Sequence, residues 1–349
     1  MQGLLERGVE CEALAADAHV PPAVAPDGLP VEMLRISLPP PWRARWEWLA
    51  NPAGGLRHGP FAQRLRERAR AADVVHMVEL HAALAARELD RPTVVQLHCL
   101  TGRDREIRGP WTREDRVSLE LARAERKVRR RASWMLVNST EVADELALET
   151  PHARVSVAPL ALDPAHYGER ASLEQPVAGL IGTARWPPTA NAVRRLLARV
   201  WPLVLERRPS ARLILAGAGM EASAFGALAE LPGVEWRGRV SSATDFLREL
   251  GILLYPLTAG SGAKVKVLEA LALGLPVVTT TEGAEGLSDR AGVVVEEDDA
   301  RIAAAALTLL DDADARRAAG ARAHENFMAN HTPAAAAAPV VELYERMVA

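Results

Sequence analysis

The densest set of groups able to do chemistry lies in residues 252–287, ILLYPLTAGSGAKVKVLEALALGLPVVTTTEGAEGL. An apolar run ends at Pro256, a loop follows with Gly260, Ser261 and Gly262, and a helical pattern opens directly behind it. Glycines let backbone N–H groups approach a phosphate closely, and a helix N-terminus adds roughly half a positive charge, so the pattern is that of an anion site. Lys264 and Lys266 supply mobile ammonium groups at the same end. Glu269, three residues beyond Lys266, lies on the same helical face, where its carboxylate can accept hydrogen bonds from ribose or sugar hydroxyls. The same residues also read as an ordinary strand-to-helix turn with solvated lysines and Glu269 paired to one of them, because a lone glycine-rich loop is a weak signal. Two features weigh against that. Gly274, Leu275 and Pro276 stop the helix before another apolar run, and a second glycine loop, Glu282 to Gly286 with Glu285 in it, ends that run. In open α/β sheets ligands collect at that edge.

The elements needed to position these groups are legible along the whole chain. Short apolar runs alternate with longer helical patterns, the signature of parallel sheets with crossover helices. A first series has strand candidates at 9–16, 31–37, 74–78, 93–98, 134–138 and 155–159, with helices at 61–71, 113–131 and 141–149. A second has strands at 177–182, 212–216, 234–238, 252–256, 277–280 and 293–296, with helices at 191–207, 242–250, 263–273 and 301–310. The alanine-rich tail, 333–348, carries Val340, Val341, Leu343, Tyr344 and Met347 at helical spacing and reads as a packed helix. A length of 349 residues fits two domains, taken as 1–172 and 173–332 with the tail helix 333–349.

Residues 264–280 resemble the retaining family-4 glycosyltransferases, in which a glycine loop leads into K-x-K-x-L-E-A-x-A-x-G-x-P-V-V-x-T and then G-x-E-G. Other segments fall in the matching order: LIGTARWPP from Leu180, PSARLILAGAG from Pro209, the strand before Val240, and VAPLALD from Val157. The resemblance implies an α/β, GT-B architecture of two facing, doubly wound Rossmann-like domains, the C-terminal one holding a nucleotide-diphosphate sugar and the N-terminal one an acceptor. It implies Gly182, Arg185, Gly260, Ser261, Gly262, Lys264, Lys266, Glu269 and Glu285 as donor-binding residues, with Lys264 and Lys266 stabilising the leaving diphosphate and His98 lining the acceptor side. No cofactor and no metal is expected. Two departures stand out. The family often has E-x7-E ending at the position of Glu269, and the first position here is Ser261. Its members also open with a strand and glycine loop, whereas Leu4 to Arg7 looks like the end of the following helix, so the N-terminal domain is expected to lack its first strand, either because the start codon is placed late or because the domain is truncated.

His98 and His76 both belong to apolar strand segments, where a lone histidine is usually a satisfied structural group. Gly217-Ala218-Gly219-Met220-Glu221-Ala222 fits a dinucleotide fingerprint and raises an NAD-dependent oxidoreductase as a rival, although a full strand and helix precede it where the fingerprint normally sits on a first strand. A non-catalytic nucleotide-sugar-binding or partner protein is the other rival. Between Thr101 and Arg131 stand 11 basic and 6 acidic residues, ending in Arg126 to Arg131, which suits either a solvated helix C-terminus or peripheral contact with an anionic membrane. Asp311, Asp312 and Asp314 read as helix caps rather than metal ligands. The net charge of −3 gives no general pull toward nucleic acid. Two cysteines, Cys11 and Cys99, cannot build a disulfide framework, and a cytoplasmic location is expected, with an acceptor that is a small molecule, a lipid-linked group or a glycan.

Overall fold

The computed structural model describes residues 1–17, 28–35, 59–85, 89–105, 109 and 111–349. The chain divides into two units, Met1–Ala158 with Ala336–Ala349, and Pro159–Ala335. Residues 159–172, grouped with the N-terminal domain in the sequence reading, fall in the second unit, and the tail helix joins the first from Ala336 onward.

In the first unit the described elements are α1 (Gln2–Glu6), β1 (Ala13–Asp17), β2 (Val31–Arg35), α2 (Pro60–Ala69), β3 (Val75–Val78), α3 (Leu80–Ala85), β4 (Thr93–Leu97), α4 (Thr101–Asp104), α5 (Arg113–Arg129), β5 (Trp134–Val137), α6 (Thr140–Glu149) and β6 (Arg154–Val157). Each expected strand is present with shifted or trimmed ends, β1 starting four residues late and running to Asp17 and β6 starting at Arg154; Ile36 and Ser37, expected in β2, lie outside the described residues. β1 pairs in parallel with β2, and β3, β4, β5 and β6 form a second, all-parallel sheet in that order. Side chains alternate across this sheet. Val95, Leu97, Met135 and Val137 pack under α3, α5 and α6, whereas Val94 and Leu136 pack against Leu343 and Met347 of the tail helix.

The second unit contains β7 (Val177–Ile181), α7 (Pro187–Arg195), α8 (Trp201–Arg207), β8 (Arg212–Ala216), β9 (Val234–Gly238), α9 (Ala243–Arg248), β10 (Ile252–Tyr255), α10 (Val265–Ala272), β11 (Val277–Thr279), β12 (Val293–Val295), α11 (Asp299–Asp311) and α12 (Ala313–Asn330); α13 (Pro333–Val348) leads back to the first. The helix read at 191–207 is broken by a π turn at Leu196–Val200, just before Pro202, whose missing N–H cannot continue the ladder. Asp312 caps α12 by accepting from the Asp314 and Ala315 N–H groups, and Asp311 pairs with Arg208, which gives two of the tail aspartates their structural work. β7 to β12 form one parallel sheet in the order β12-β11-β10-β7-β8-β9. The four inner strands, β11, β10, β7 and β8, are buried on both faces and read as near-continuous apolar runs, as crossover helices on both sides require, whereas the edge strands β12 and β9 are only partly buried. Among the described residues no helix is long and apolar enough to cross a membrane.

Candidate functional site

Strand order reverses between β7 and β10, because the chain runs outward from β7 to β8 and β9, then returns to the other side of β7. The crevice at the carboxyl ends of those two strands is where a doubly wound sheet receives ligand. The loops leaving them are the two that carry the expected residues. β7 runs into Gly182 and Arg185, and β10 runs into Gly260, Ser261 and Gly262.

Gly260 and Gly262 have φ of 126° and 70°, conformations open to glycine at little cost. A β-carbon at Gly260 would lie 3.5 Å from both Trp186 and the Lys264 side chain, so the two loops run close together. Arg185 is exposed on the first of them, its backbone N–H held by Thr183 Oγ1 at 3.3 Å. Ser261 is buried.

The two lysines differ from expectation and from each other. Lys264 is not a mobile ammonium. Its side chain is 4% exposed, its Nζ donates to the Gly262 carbonyl, and the Glu285 carboxylate, 2% exposed, stands 3.6 Å away. The left-handed turn at Gly262 presents that carbonyl to the lysine that follows it. Glu285 comes from the loop behind β11, whose Thr279 and Thr280 hydroxyls donate to Tyr255 O and Leu257 O at 2.6 and 2.9 Å, locking the two glycine loops together. Lys266, on the first turn of α10, is partly exposed and donates to Glu269 at 2.7 Å. The expected common face is therefore real, and the ion pair of the plainer reading is present on it. Tyr167, which no sequence motif singles out, brings its hydroxyl to 3.5 Å from the other Glu269 oxygen. Burial, then the neighbouring carboxylate, pushes the phenol up to about 12, so it stays a hydrogen-bond donor.

In the first unit, His98 stands just beyond β4 with its side chain 30% exposed, and its Nε2 lies 3.9 Å from the Glu79 carboxylate. The chain behind it is pinned by buried Glu125 of α5, which accepts from the Thr101 N–H at 2.7 Å and from Arg129 at 3.1 Å. His76, in contrast, is bonded through Nδ1 to the Tyr344 hydroxyl at 2.6 Å, while its buried Nε2 has no hydrogen-bond partner among the described residues, so it is only half satisfied. The residues expected to bind a donor share one sheet edge of the second unit, and His98 belongs to the first.

Gly217 and Gly219 do not build a dinucleotide loop. A β-carbon at Gly217 would lie 1.8 Å from the Gly182 carbonyl oxygen, so the glycine is required by the close passage of two backbones. Behind it come 3-10 turns at Ala222–Ala224 and Gly226–Glu230, so no α-helix N-terminus faces the position a pyrophosphate would take.

Residues 1–166 match the family model for Glycosyltransferase Family 4, and residues 175–312 match that for Glycosyl transferases group 1. The chain belongs to these glycosyltransferases. No curated protein matches it by sequence. Solved structures share the glycosyltransferase's GT-B fold at low identity. Sucrose-phosphate synthase from Thermosynechococcus elongatus aligns with a TM-score of 0.69 at 14% identity, over 99% of this chain and 90% of that one. HepE of Anabaena, solved with UDP and glucose, gives 0.59 at 16%, over 91% and 86%. A variant of TarM from S. aureus, solved with UDP, alpha-GlcNAc-glycerol and Fondaparinux, gives 0.64 at 12%, over 84% of this chain and 59% of TarM. The chain thus spans less than two thirds of TarM.

Proposed function

We propose that this glycosyltransferase transfers a sugar from a nucleotide-diphosphate donor to a hydroxyl acceptor with retention of anomeric configuration. The observation that carries the reading is the convergence of the Gly182 and Gly260–Gly262 loops, the α10 N-terminus, Lys264, Lys266, Glu269 and Glu285 at the switch point of a parallel sheet. In this account the bond from the anomeric carbon to the diphosphate oxygen breaks, the acceptor oxygen bonds to that carbon on the same face, and its proton passes to the departing diphosphate. Negative charge grows on the leaving group, so donors fixed in advance contribute most. Lys264, held rigid beside Glu285, supplies a fixed charge, while Arg185 and, on leaving its pair with Glu269, Lys266 close on the phosphates. Glu269 and Tyr167 hold ribose hydroxyls, and His98 lies on the acceptor side. The chain's own cations are the charge partners, with no metal and no cofactor assigned a role. Incubation with UDP-, GDP- and dTDP-sugars and a panel of small, lipid-linked and glycan acceptors, read by nucleotide release and by the anomeric coupling of the product, tests this. Inverted product defeats the stereochemical part, and binding without turnover favours a non-catalytic nucleotide-sugar-binding role, for which buried Ser261 in place of the family's first glutamate is the motive.

The partner surface includes a recess of about 200 Å³ lined by Arg123, Arg126, Lys127, Arg130 and Arg131. We assign it peripheral contact with an anionic membrane, since all five cations come from the last turns of α5 and the residues just after it. Sedimentation with neutral and anionic vesicles at two salt concentrations checks it: salt-sensitive binding to the anionic set is expected, and equal recovery with both sets removes the membrane from the account.

A further inference from the structure

β3 ends at Val78, and the next residue, Glu79, turns the chain into α3 with φ of 74°. A side chain crowds the backbone in this left-handed region, which glycine and asparagine enter far more readily than glutamate. Leu173 is the only other described non-glycine residue with positive φ. The conformation is fixed from both sides: the Glu79 N–H donates to Gln96 O of β4 at 3.1 Å, and the Glu79 carbonyl accepts from Ala83 N of α3 at 3.1 Å. Backbone strain held in place in this way gathers at sites where a side chain must be aimed. What the turn aims is a carboxylate, and what lies under it is His98, with Glu79 Oε1 and His98 Nε2 3.9 Å apart. β3 and β4 are neighbours in parallel register, from Val75 opposite Thr93 to Val78 opposite Gln96, so the residues after both strands emerge at one sheet edge.

We propose that Glu79 is a positioning residue for His98. Its carboxylate draws the Nε2–H tautomer of the imidazole toward itself and leaves the Nδ1 lone pair as the nitrogen able to accept from a substrate hydroxyl. A separation of 3.9 Å without substrate fits such a pair, because hydrogen bonds between catalytic groups often tighten only when the site fills. The inference rests on the reading of His98 as an acceptor-side group.

The test uses the full chain and three variants, Glu79→Asn, His98→Ala and the double change. Asparagine tolerates the left-handed turn, so Glu79→Asn is expected to melt at or above the parent temperature. Nitrogen NMR of the His98 ring is expected to show the Nε2–H form in the parent and a tautomer mixture in Glu79→Asn. With a donor that the chain turns over, kcat falls on the order of tenfold while donor KM is unchanged, as for a group misplaced by a fraction of an ångström. In the His98→Ala background Glu79→Asn should cost nothing further. An unchanged tautomer in Glu79→Asn, or losses that multiply in the double variant, overturns the proposal. If the tautomer responds to Glu79→Asn but His98→Ala keeps full turnover, the pair stands and the acceptor-side reading of His98 falls.

Discussion

The buried pair of the second unit and the exposed pair of the first differ in burial and in spacing. Lys264 and Glu285 are 4% and 2% exposed and locked between two glycine loops, whereas His98 and Glu79 are 30% and 57% exposed and stand 3.9 Å apart. A charge that must be ready before a diphosphate departs gains from rigidity, since a fixed dipole or ammonium needs no reorganisation at the moment of reaction. A group that meets a variable acceptor gains from access. The cores differ in the same sense. The second unit buries Trp201, Phe246 and Phe327 in one cluster that reaches every strand of its sheet, and the described apolar residues of the first fall into three smaller clusters.

The largest expected effect breaks the rigid pair. Lys264→Ala strands Glu285 without its ammonium partner in the interior, a loss of about 3–5 kcal/mol, which denaturant unfolding will register. Lys264→Met with Glu285→Leu should recover most of that stability without recovering donor affinity, and a Lys264→Ala protein as stable as the parent would show that the pair carries no weight.

Glycine substitutions sharpen the contrast. Gly217→Ala places a methyl 1.8 Å from the Gly182 carbonyl at a φ of 125°, so roughly 3 kcal/mol or more should be lost through overpacking and backbone strain together. Gly8→Ala in the first unit has a similar sign of φ, 79°, but nothing within 4 Å, and should cost only about 1–2 kcal/mol. Equal melting shifts for the two would mean that the β7 and β8 loops relax more easily than their packing suggests.

Acid should find the first unit. Burial depresses His76 from 6.5 to about 4. As pH falls, the unfolded chain binds this proton first, so stability present above pH 6.5 is lost progressively toward pH 4, by about 3 kcal/mol in all. Urea midpoints at pH 7 and 4.5 measure it, and His76→Phe should flatten the dependence. A parent midpoint that does not move would contradict burial of a neutral imidazole there.

How much of this was legible in the sequence follows from what each feature needs locally. A phosphate loop requires glycines, a helix start and cations within a dozen residues, so Gly260 to Glu269 stood out. Tyr167 reaches Glu269 across 102 positions and has no local signature. Glu79 was invisible because a left-handed glutamate looks like any other glutamate until its backbone is placed. α12 went unread because its buried side includes Arg316, Gly320 and Asn326, so the usual apolar stripe is diluted. Arg316 explains the oddity: it donates to Leu173 O and Leu309 O at 2.9 and 2.7 Å, capping backbone groups from inside the core. The opposite fate of Lys264 and Lys266 could not be read either, since two lysines one residue apart differ only once Gly262 sets the turn.

A milder change tests the exposed part of the donor side. Lys266→Ala and Glu269→Ala should each weaken donor binding at least roughly tenfold without unfolding the protein, as a lost charged hydrogen bond of about 1.5–3 kcal/mol implies. Titration calorimetry separates this from the stability loss of Lys264→Ala, and unchanged affinity in both variants would take α10 out of the site.

The central claim is that the second unit binds a nucleotide-diphosphate sugar at its switch point. Melting temperature against UDP-, GDP- and dTDP-sugars, with NAD(H) as control, reads it directly, because a ligand of the native state raises stability by mass action. The account predicts a saturable rise with at least one nucleotide sugar, its loss in Glu269→Ala, and no rise with NAD(H) at micromolar levels. A saturable rise with NAD(H) alone, or a nucleotide-sugar shift that Glu269→Ala leaves intact, would contradict it.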